Sequence, residues 1–588
     1  GLKDADDLAL CQQHLATIRA LHAAARVLAA RHALVPHGST IPVDVIIVDS
    51  SRKVLPKDAL AGVPIRTRVE LSAARDETEA FQLAIRARGS AQRVRIVAPP
   101  LRGPGGQLPL RWHRVDWVTT GKPKSYTPRA VGRWPDVLLP PGLIDIPDGE
   151  LKMAWIGVDV PPDAVPGIYR GTVSVYCGGA PVPVPVELRV RSFRLPRPGS
   201  LACPFGIYAS ALSKWYFGTG DYAKHITPKQ YAVWCEFLGT YRLTPKNAAN
   251  EFLGKAADGK GVAAEALRTT LKPFVKSLYP PASFGMYRLP CPRSWQNGTT
   301  TEDPEIQMGR LRAKRDAYLQ LGLPSTAYIY GIDEPSPEGY PFVRDIYQRA
   351  RKAAPDFPIM QTVNHRIPKE LAGTVDIWCP LSARYDDGID FYKERLAAGE
   401  KLWLYVCCGP KPPYANFFVD QEGAAHRVLF WQTWQARATG LLYWCMIWWD
   451  GMPGPTTEGK HFPEAMPNYA KDLKTYPRFG VNGDGVLIWP GPDLTPWPSL
   501  RLEIVRDGIE DYEYLALLDR CVRAATVRQD IEGELLKRAQ SLLRVPADIS
   551  RTMKDYTQTA APMLRRRNQV GDMIEILIKK LGSQPPVR

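Results

Sequence analysis

Two adjacent carboxylates, Asp333 and Glu334, follow a short apolar run in the stretch AYIYGIDEP. When two carboxyl groups share a cleft of low dielectric, ionisation of one opposes ionisation of the other, so their pKa values separate. Such a pair offers a neutral acid that can protonate a leaving group and an anion that can stabilise positive charge. The alternative interpretation is a turn and helix start, with Pro335 in the first turn and acidic residues favoured by the helix dipole.

The adjacency of the two carboxylates sets a geometric condition. Successive strand residues point to opposite faces, so both side chains reach one site only if the strand ends or bulges near Gly331–Ile332. The common glycosidase mechanism needs two carboxylates about 5 Å or more apart across the sugar bond, which neighbours satisfy poorly. A substrate-assisted route fits better. In that route Glu334 is the acid and base, Asp333 orients an acetamido N–H, and the acetamido carbonyl of the substrate is the nucleophile.

Two different sequence patterns occur along the chain around this pair. Residues 41–192 contain short β-type runs separated by Pro and Gly, which is typical of an antiparallel β-sandwich. After residue 200, strands alternate with helical stretches about eight times, which predicts a (β/α)8 TIM-type barrel with C-terminal helices. No Gly-rich phosphate loop follows an early strand, which disfavours a nucleotide-binding open sheet. The predicted organisation is an N-terminal helical segment (1–40), a β-sandwich domain (41–198), a catalytic barrel (199–510) and a C-terminal helical region packed on the barrel (511–588).

A barrel carries its active site at the C-terminal ends of its strands, so the residues that follow each strand are candidates. Aromatic faces stack on the C–H faces of sugar rings, while carboxylates and amides bond hydroxyl groups, and the candidates are rich in both types. The set is poor in metal ligands, so neither a metal ion nor an organic cofactor is predicted. The predicted substrate-binding residues are Arg288, Asn364, His365, Trp448, Trp449 and Asp450.

Composition limits the classes of protein that need to be considered. The length of 588 residues predicts two or three domains. No run of about 18 apolar residues occurs, so no membrane span is predicted. The net charge of +16 is compatible with nucleic acid, an anionic glycan or simply a basic surface. No zinc finger or basic region with heptads accompanies it, so we expect a glycan partner and no nucleic acid. The oligomeric state is open, and a secreted or periplasmic location is favoured over a cytoplasmic one.

A series of motifs in fixed order resembles glycoside hydrolase family 123 and its broader uncharacterised relatives, over about residues 41 to 540. The motifs are RDETEAFQLAI, GRWPDVLLP, VPPDAVPGIYRGTVSV, YRLTP, YGIDEP, GLLYWCMIWWD and SLRLEIVRDGIEDYEYLALL. The resemblance implies a β-N-acetylgalactosaminidase with an N-terminal β-sandwich and a (β/α)8 barrel. It also implies substrate-assisted catalysis by an adjacent Asp-Glu pair, which maps onto Asp333 and Glu334. The N-terminal helix departs from the family pattern.

Together these observations predict an exo-acting, retaining glycoside hydrolase that releases a β-linked 2-acetamido sugar, N-acetylgalactosamine in the first instance. One alternative is a glycosidase for a sugar without an acetamido group, with Asp376 or Asp450 as a separate nucleophile. The other alternative is a glycan-binding protein without turnover.

Overall fold

The chain divides into two compact units. A computed structural model describes residues 34, 41–60, 63–64, 66–246, 283–285, 304–320, 327–449 and 480–586. The first unit comprises Gly1–Val118 and Gly132–Leu195, and the second comprises Thr119–Val131 and Pro196–Arg588. Apart from Leu34, the predicted N-terminal helix over residues 1–35 lies outside the described residues.

The first unit contains two β-sheets. The five-stranded sheet has the order β1–β3–β10–β7–β8, and its strands are β1 (Val43–Asp49), β3 (Glu77–Ala87), β7 (Leu110–Thr120), β8 (Gly132–Leu139) and β10 (Leu151–Val160). The main path of the second sheet is β2–β12–β11–β4–β9, built from β2 (Val69–Arg75), β4 (Gln92–Val97), β9 (Ile144–Ile146), β11 (Gly167–Tyr176) and β12 (Val182–Arg194). The short strands β5 (Leu101–Gly103) and β6 (Gly106–Leu108) attach beside β11.

Side chains from both sheets form one apolar core. Leu83 and Ile156 of the first sheet and Val173 and Leu188 of the second belong to the same buried cluster. Alternation along the strands explains this, since β12 places every second side chain inside over most of its length. Two sheets that share one core form a sandwich, although β2 and β12 pair in parallel rather than antiparallel.

The second unit is built on an eight-stranded sheet in which every described pair is parallel. Its order is β14–β13–β20–β19–β18–β17–β16–β15. The strands are β13 (Pro204–Phe205), β14 (Thr244–Pro245), β15 (Ser283–Gly285), β16 (Tyr328–Tyr330), β17 (Ile359–Val363), β18 (Ile377–Pro380), β19 (Lys401–Val406) and β20 (Gly440–Tyr443). Strands β21 (Ile488–Pro490) and β22 (Pro496–Pro498) form a separate antiparallel pair.

Helices connect most of the parallel strands and continue to the C-terminus. They are α1 (Ala209–Phe217), α2 (Tyr222–His225), α3 (Pro228–Thr240), α4 (Pro304–Gln320), α5 (Tyr340–Ala353), α6 (Ser382–Asp387), α7 (Ile389–Ala397), α8 (Gly423–Gln435), α9 (Leu500–Thr526), α10 (Gly533–Leu542) and α11 (Ala561–Leu581). Among the described residues, none of these helices combines the length and apolar character needed to cross a membrane.

A closed (β/α)8 barrel is not confirmed. The strands follow one another in the order of a barrel, but among the described residues β14 and β15 stand at the two ends of the sheet and do not pair. The connection from β17 to β18 carries a 3-10 turn, Lys369–Leu371, in place of an α-helix. The described architecture is an open parallel half-barrel with C-terminal helices, and it still brings the C-terminal ends of its strands to one edge.

Helix α9 packs along α8 through buried charged groups. Arg427 donates two hydrogen bonds to Asp511, from Nε at 2.6 Å and from Nη2 at 2.8 Å. At the start of α9, Arg501 donates to the backbone oxygens of Phe417 and Gly483 at 2.7 and 2.9 Å. A buried guanidinium needs such partners because its desolvation is costly. Arg501 at the start of α9 and Asp511 further along it therefore have a structural explanation.

We expect Gly508→Ala to lower the stability of the second unit. A Cβ atom at Gly508 on α9 would lie 2.2 Å from Cδ2 of the buried Phe430 on α8. Overpacking of this kind costs about 1–3 kcal/mol, against a helix-propensity gain of about 1 kcal/mol for alanine over glycine. Thermal unfolding should show a lowered midpoint. The control is Gly533→Ala at the start of α10, where no atom lies within 4 Å of the new Cβ and the midpoint should not fall. Equal midpoints for both variants would contradict the close α8–α9 contact.

Candidate active site

Strand β16 ends before the two adjacent carboxylates. It covers only Tyr328–Tyr330, and the chain then bends through residues 332–334. Glu334 has a φ of 42°, in the left-handed region that non-glycine residues rarely adopt. A Cβ at Gly331 would lie 2.4 Å from Cε1 of Tyr347, so the chain can follow this path only because residue 331 is glycine. The strand alternation is broken ahead of Asp333, which meets the condition that the adjacent pair imposes.

Asp333 is held by two hydroxyl groups. Its Oδ1 atom accepts hydrogen bonds from the hydroxyl of Tyr330, at the end of β16, and from Oγ1 of Thr362 on β17, the latter at 3.1 Å. The same Thr362 oxygen accepts the backbone N–H of Glu334 at 2.9 Å. One threonine thus fixes the side chain of the first carboxylate and the backbone of the second. A carboxylate held in this way can accept a further hydrogen bond from a substrate.

Glu334 reaches across to two other strand ends. Its Oε1 atom accepts a hydrogen bond from the hydroxyl of Tyr405 on β19, and its Oε2 atom accepts one from Nδ2 of Asn364, directly after β17, at 3.1 Å. Burial raises the pKa of Glu334, and the nearby charge of Asp333 raises it further. The two hydrogen bonds act in the opposite direction and are outweighed. Glu334 therefore keeps its proton to a higher pH than an exposed glutamate, as a general acid requires.

Aromatic side chains occupy the same edge of the sheet beyond β20. The rings of Trp444 and Trp448 lie 5.3 Å apart, and both are half-buried. Trp444 Nε1 donates to both oxygens of Asp484, at 3.1 and 3.2 Å, and the Tyr443 hydroxyl donates to Oδ1 at 3.0 Å. Burial raises the pKa of Asp484 to about 6. Trp448 is partly exposed, which a platform for a sugar ring requires.

The other predicted binding residues divide into three groups. Asn364 contacts Glu334, and His365 is exposed beside it. Trp449 is enclosed by other aromatic rings, and its indole N–H donates to the Ile488 oxygen at 3.0 Å, so we do not carry it forward as a sugar contact. Arg288 and Asp450 lie outside the described residues.

Asp376, one of the alternative nucleophiles, stands at the wrong edge of the sheet. It immediately precedes β18, whereas Asp333 and Glu334 follow β16, and the two strands run in the same direction. Its Oδ2 atom is engaged by Arg351 at 2.9 Å and by the Ile359 backbone N–H at 2.7 Å. The alternative that uses Asp376 therefore has no geometric support.

The hydroxyl and ammonium groups around the pair were missed by the sequence analysis. Tyr330 and Tyr405 belong to the apolar cluster on one face of the sheet, together with Tyr328 and Trp403 on the same strands. Strand parity could have placed the two tyrosines inside, at the last inward positions before the strand ends. Lys246 directly follows β14 and is buried, with its Nζ 5.3 Å from the centre of the Tyr330 ring. Its only signal in the sequence was its position after a strand.

Within the described residues, no three His, Cys, Asp or Glu side chains come together in a metal-binding cluster.

The raised pKa of Asp484 predicts a pH-dependent loss of stability. A buried carboxyl that ionises at about pH 6 in the folded chain, against 3.8 ordinarily, binds its proton more tightly when folded. Its stabilising contribution is complete below about pH 4 and is lost as the pH rises through 6, by about 3 kcal/mol. We expect Asp484→Asn, which cannot ionise, to lack this loss. Denaturant unfolding from pH 4 to 7 should show the difference between variant and wild type changing over that window. A constant difference, as expected for Asp390→Asn at an exposed position, would contradict the assignment.

Comparison with known proteins agrees with this geometry. Residues 315–518 match the family model described as Glycoside hydrolase 123, catalytic domain. That range includes Asp333, Glu334 and Tyr405, whereas Lys246 lies before it. No curated protein sequence matches the chain.

Solved structures are similar at low sequence identity. A family 123 glycoside hydrolase from Clostridium perfringens is 14% identical, with a TM-score of 0.65, over 92% of this chain and 99% of that chain. This likeness shows a shared fold. A GH2 β-galacturonidase from Eisenbergiella tayi is 11% identical with a TM-score of 0.30, over 74% of this chain and 69% of that one. The family match supports glycan hydrolysis, since residues 315–518 match the catalytic-domain model of glycoside hydrolase family 123.

Proposed function

We propose that this chain is an exo-acting, retaining glycosidase that removes a β-linked 2-acetamido sugar, N-acetylgalactosamine, by substrate-assisted catalysis. The observation that carries the proposal is the pair of adjacent carboxylates in different surroundings. Asp333 accepts two hydroxyl donors, while Glu334 has a raised pKa and is turned toward β19. The pair thus offers an anion and a proton donor side by side.

The first step transfers the Glu334 proton to the glycosidic oxygen as the bond from that oxygen to the anomeric carbon breaks. The acetamido carbonyl oxygen forms the replacing bond from the opposite face of the ring. Asp333 accepts the acetamido N–H and stabilises the positive charge of the resulting oxazolinium. No protein nucleophile is needed, because the substrate supplies one at high effective concentration.

The second step reverses the role of Glu334. Its carboxylate takes a proton from water as the water oxygen attacks the anomeric carbon and opens the oxazolinium ring. Two successive inversions give retention of configuration. Trp448, which is partly exposed, supports a sugar ring, and Asn364 orients the Glu334 carboxyl throughout.

A panel of aryl glycosides tests the substrate class. We expect turnover of aryl 2-acetamido-β-galactosides and no measurable turnover of the matching plain galactosides, because the plain sugars lack the nucleophile. The Clostridium perfringens relative is described through glycolipid glycan hydrolysis, so glycolipid glycans belong in the panel beside free ones. Release of monosaccharide alone from an end-labelled oligosaccharide would support exo action. Binding of glycans without turnover on any member would overturn the proposal in favour of a glycan-binding protein.

Substitutions of the pair test the mechanism. Glu334→Gln should lower kcat/KM by about 10²–10⁴-fold for substrates with poor leaving groups, because general acid catalysis is worth this much. The loss should be smaller for a dinitrophenyl leaving group, which departs without protonation. Asp333→Asn should also lose activity, and azide should not restore it, because no enzyme nucleophile has been removed.

Two controls distinguish the alternative mechanism. Asp376→Asn should retain activity, since that residue lies at the opposite edge of the sheet. A covalent glycosyl-enzyme trapped by a fluorosugar would show that a protein carboxylate is the nucleophile. Azide rescue of a carboxylate variant with inversion at the anomeric carbon would show the same.

A further inference from the structure

A lysine is buried among the strand ends that carry the catalytic pair. Lys246 is only 4% exposed, and its backbone N–H donates to the Phe205 oxygen at 2.9 Å, which extends the pairing of β14 with β13. Its Nζ lies 5.3 Å from the centre of the Tyr330 ring. Tyr330 is the residue whose hydroxyl bonds to Asp333. The ammonium group therefore lies against the ring of the tyrosine that bonds to the first carboxylate, and Lys246 precedes the matched family range.

Hydrogen bonding does not by itself decide which carboxyl keeps the proton. Asp333 has two side-chain donors, Tyr330 and Thr362, and Glu334 also has two, Tyr405 and Asn364. Each pair of donors stabilises the ionised form of its carboxyl, so the two effects oppose one another. Burial of Glu334 already favours the proton on that residue, and a cation close to Asp333 adds to this preference.

Among the residues that the structure describes, few other groups near Lys246 can change charge. The carboxylate that attracts it is Asp333, and the thiols that face it belong to Cys379 on β18 and Cys445 after β20. Burial raises the pKa of Cys445 to about 12 and that of Cys379 even further, so both thiols stay neutral.

Other titratable groups at the described strand ends are Glu334 and Asp484, with Tyr347, Tyr405, Tyr443, Cys407 and Cys408 beside them. Burial raises the pKa values of all three tyrosines. His365 acts on Glu334 from an exposed position, where solvent weakens its effect. Lys246 is the buried cation that acts on Asp333, whereas the buried Arg501 acts on Asp484.

We propose that Lys246 is a positioning residue: its buried ammonium holds Asp333 as the anion of the pair, so that the proton for the leaving group stays on Glu334. With the proton there, Lys246, Asp333 and Glu334 together carry no net charge, which is the favoured state in a site of low dielectric. This inference rests on the proposed function for its catalytic consequence, although the coupling of Lys246 to Asp333 exists without turnover.

The leaving-group dependence of kcat/KM tests the catalytic consequence. In Lys246→Met, kcat/KM should fall more for a substrate with a poor leaving group than for a dinitrophenyl glycoside, because less of the Glu334 carboxyl then carries the proton that a poor leaving group needs. Lys246→Arg keeps the positive charge and should leave the ratio of the two kcat/KM values near that of the wild type. Lys401→Met, at the exposed start of β19, is the matched control and should not change this ratio. An equal loss for both leaving groups in Lys246→Met would show a merely structural role and overturn the proposal.

A double-mutant cycle tests the coupling without any substrate. The loss of thermal midpoint caused by Lys246→Met should be smaller in an Asp333→Asn background than in the wild type, because the removed charge then has lost its partner. The same cycle with Glu334→Gln should show weaker coupling. Additive effects in the Asp333 cycle, or stronger coupling to Glu334, would overturn the proposal. If the wild type hydrolyses no glycoside, the proposed function fails, and this cycle alone decides the role of Lys246.

Discussion

The contact between Gly331 and Tyr347 is the constraint on which the candidate site depends. Because there is no room for a Cβ atom beside the Tyr347 ring, glycine is required, and the chain turns out of β16 directly after Tyr330. Two neighbours that would point to opposite faces of a strand then serve one site. The left-handed backbone of Glu334 completes the turn, and such strain is characteristic of functional sites. Asp333 and Glu334 can therefore serve one site only because β16 ends before them.

Asp333 and Glu334 have different hydrogen-bond donors because different neighbouring strands hold them. Asp333 is held from β16 and β17, while Glu334 is held from β17 and β19. Parallel pairing fixes the order of these strands, so the same register that builds the sheet also sets the spacing of the donors.

Sequence reasoning predicted the residues that follow strands and missed those that lie within them. Asp333, Glu334 and Asn364 were found because a parallel sheet brings its C-terminal strand ends together, and the structure joins these three by hydrogen bonds or adjacency. Tyr405 was missed because alternation shows which face a residue occupies but not which strand lies beside it. The half-barrel followed from the alternation of strands and helices, whereas closure depends on a pairing of β14 with β15 that no local pattern encodes.

Trp449 and Lys246 show why position after a strand is not enough to predict a site residue. The first was predicted and is packed among other rings, and the second was not predicted and lies near the pair. Both follow strands of the sheet, and by position alone the tryptophan was the better candidate, because an aromatic ring at a strand end suits a sugar. The structure surrounds Trp449 with other rings, which satisfy its apolar surface and its indole N–H. Lys246 is buried where an ammonium group is costly, and an acidic neighbour offsets part of that cost. A buried charge at a strand end therefore requires partner groups, whereas packing alone explains a buried aromatic ring at the same kind of position.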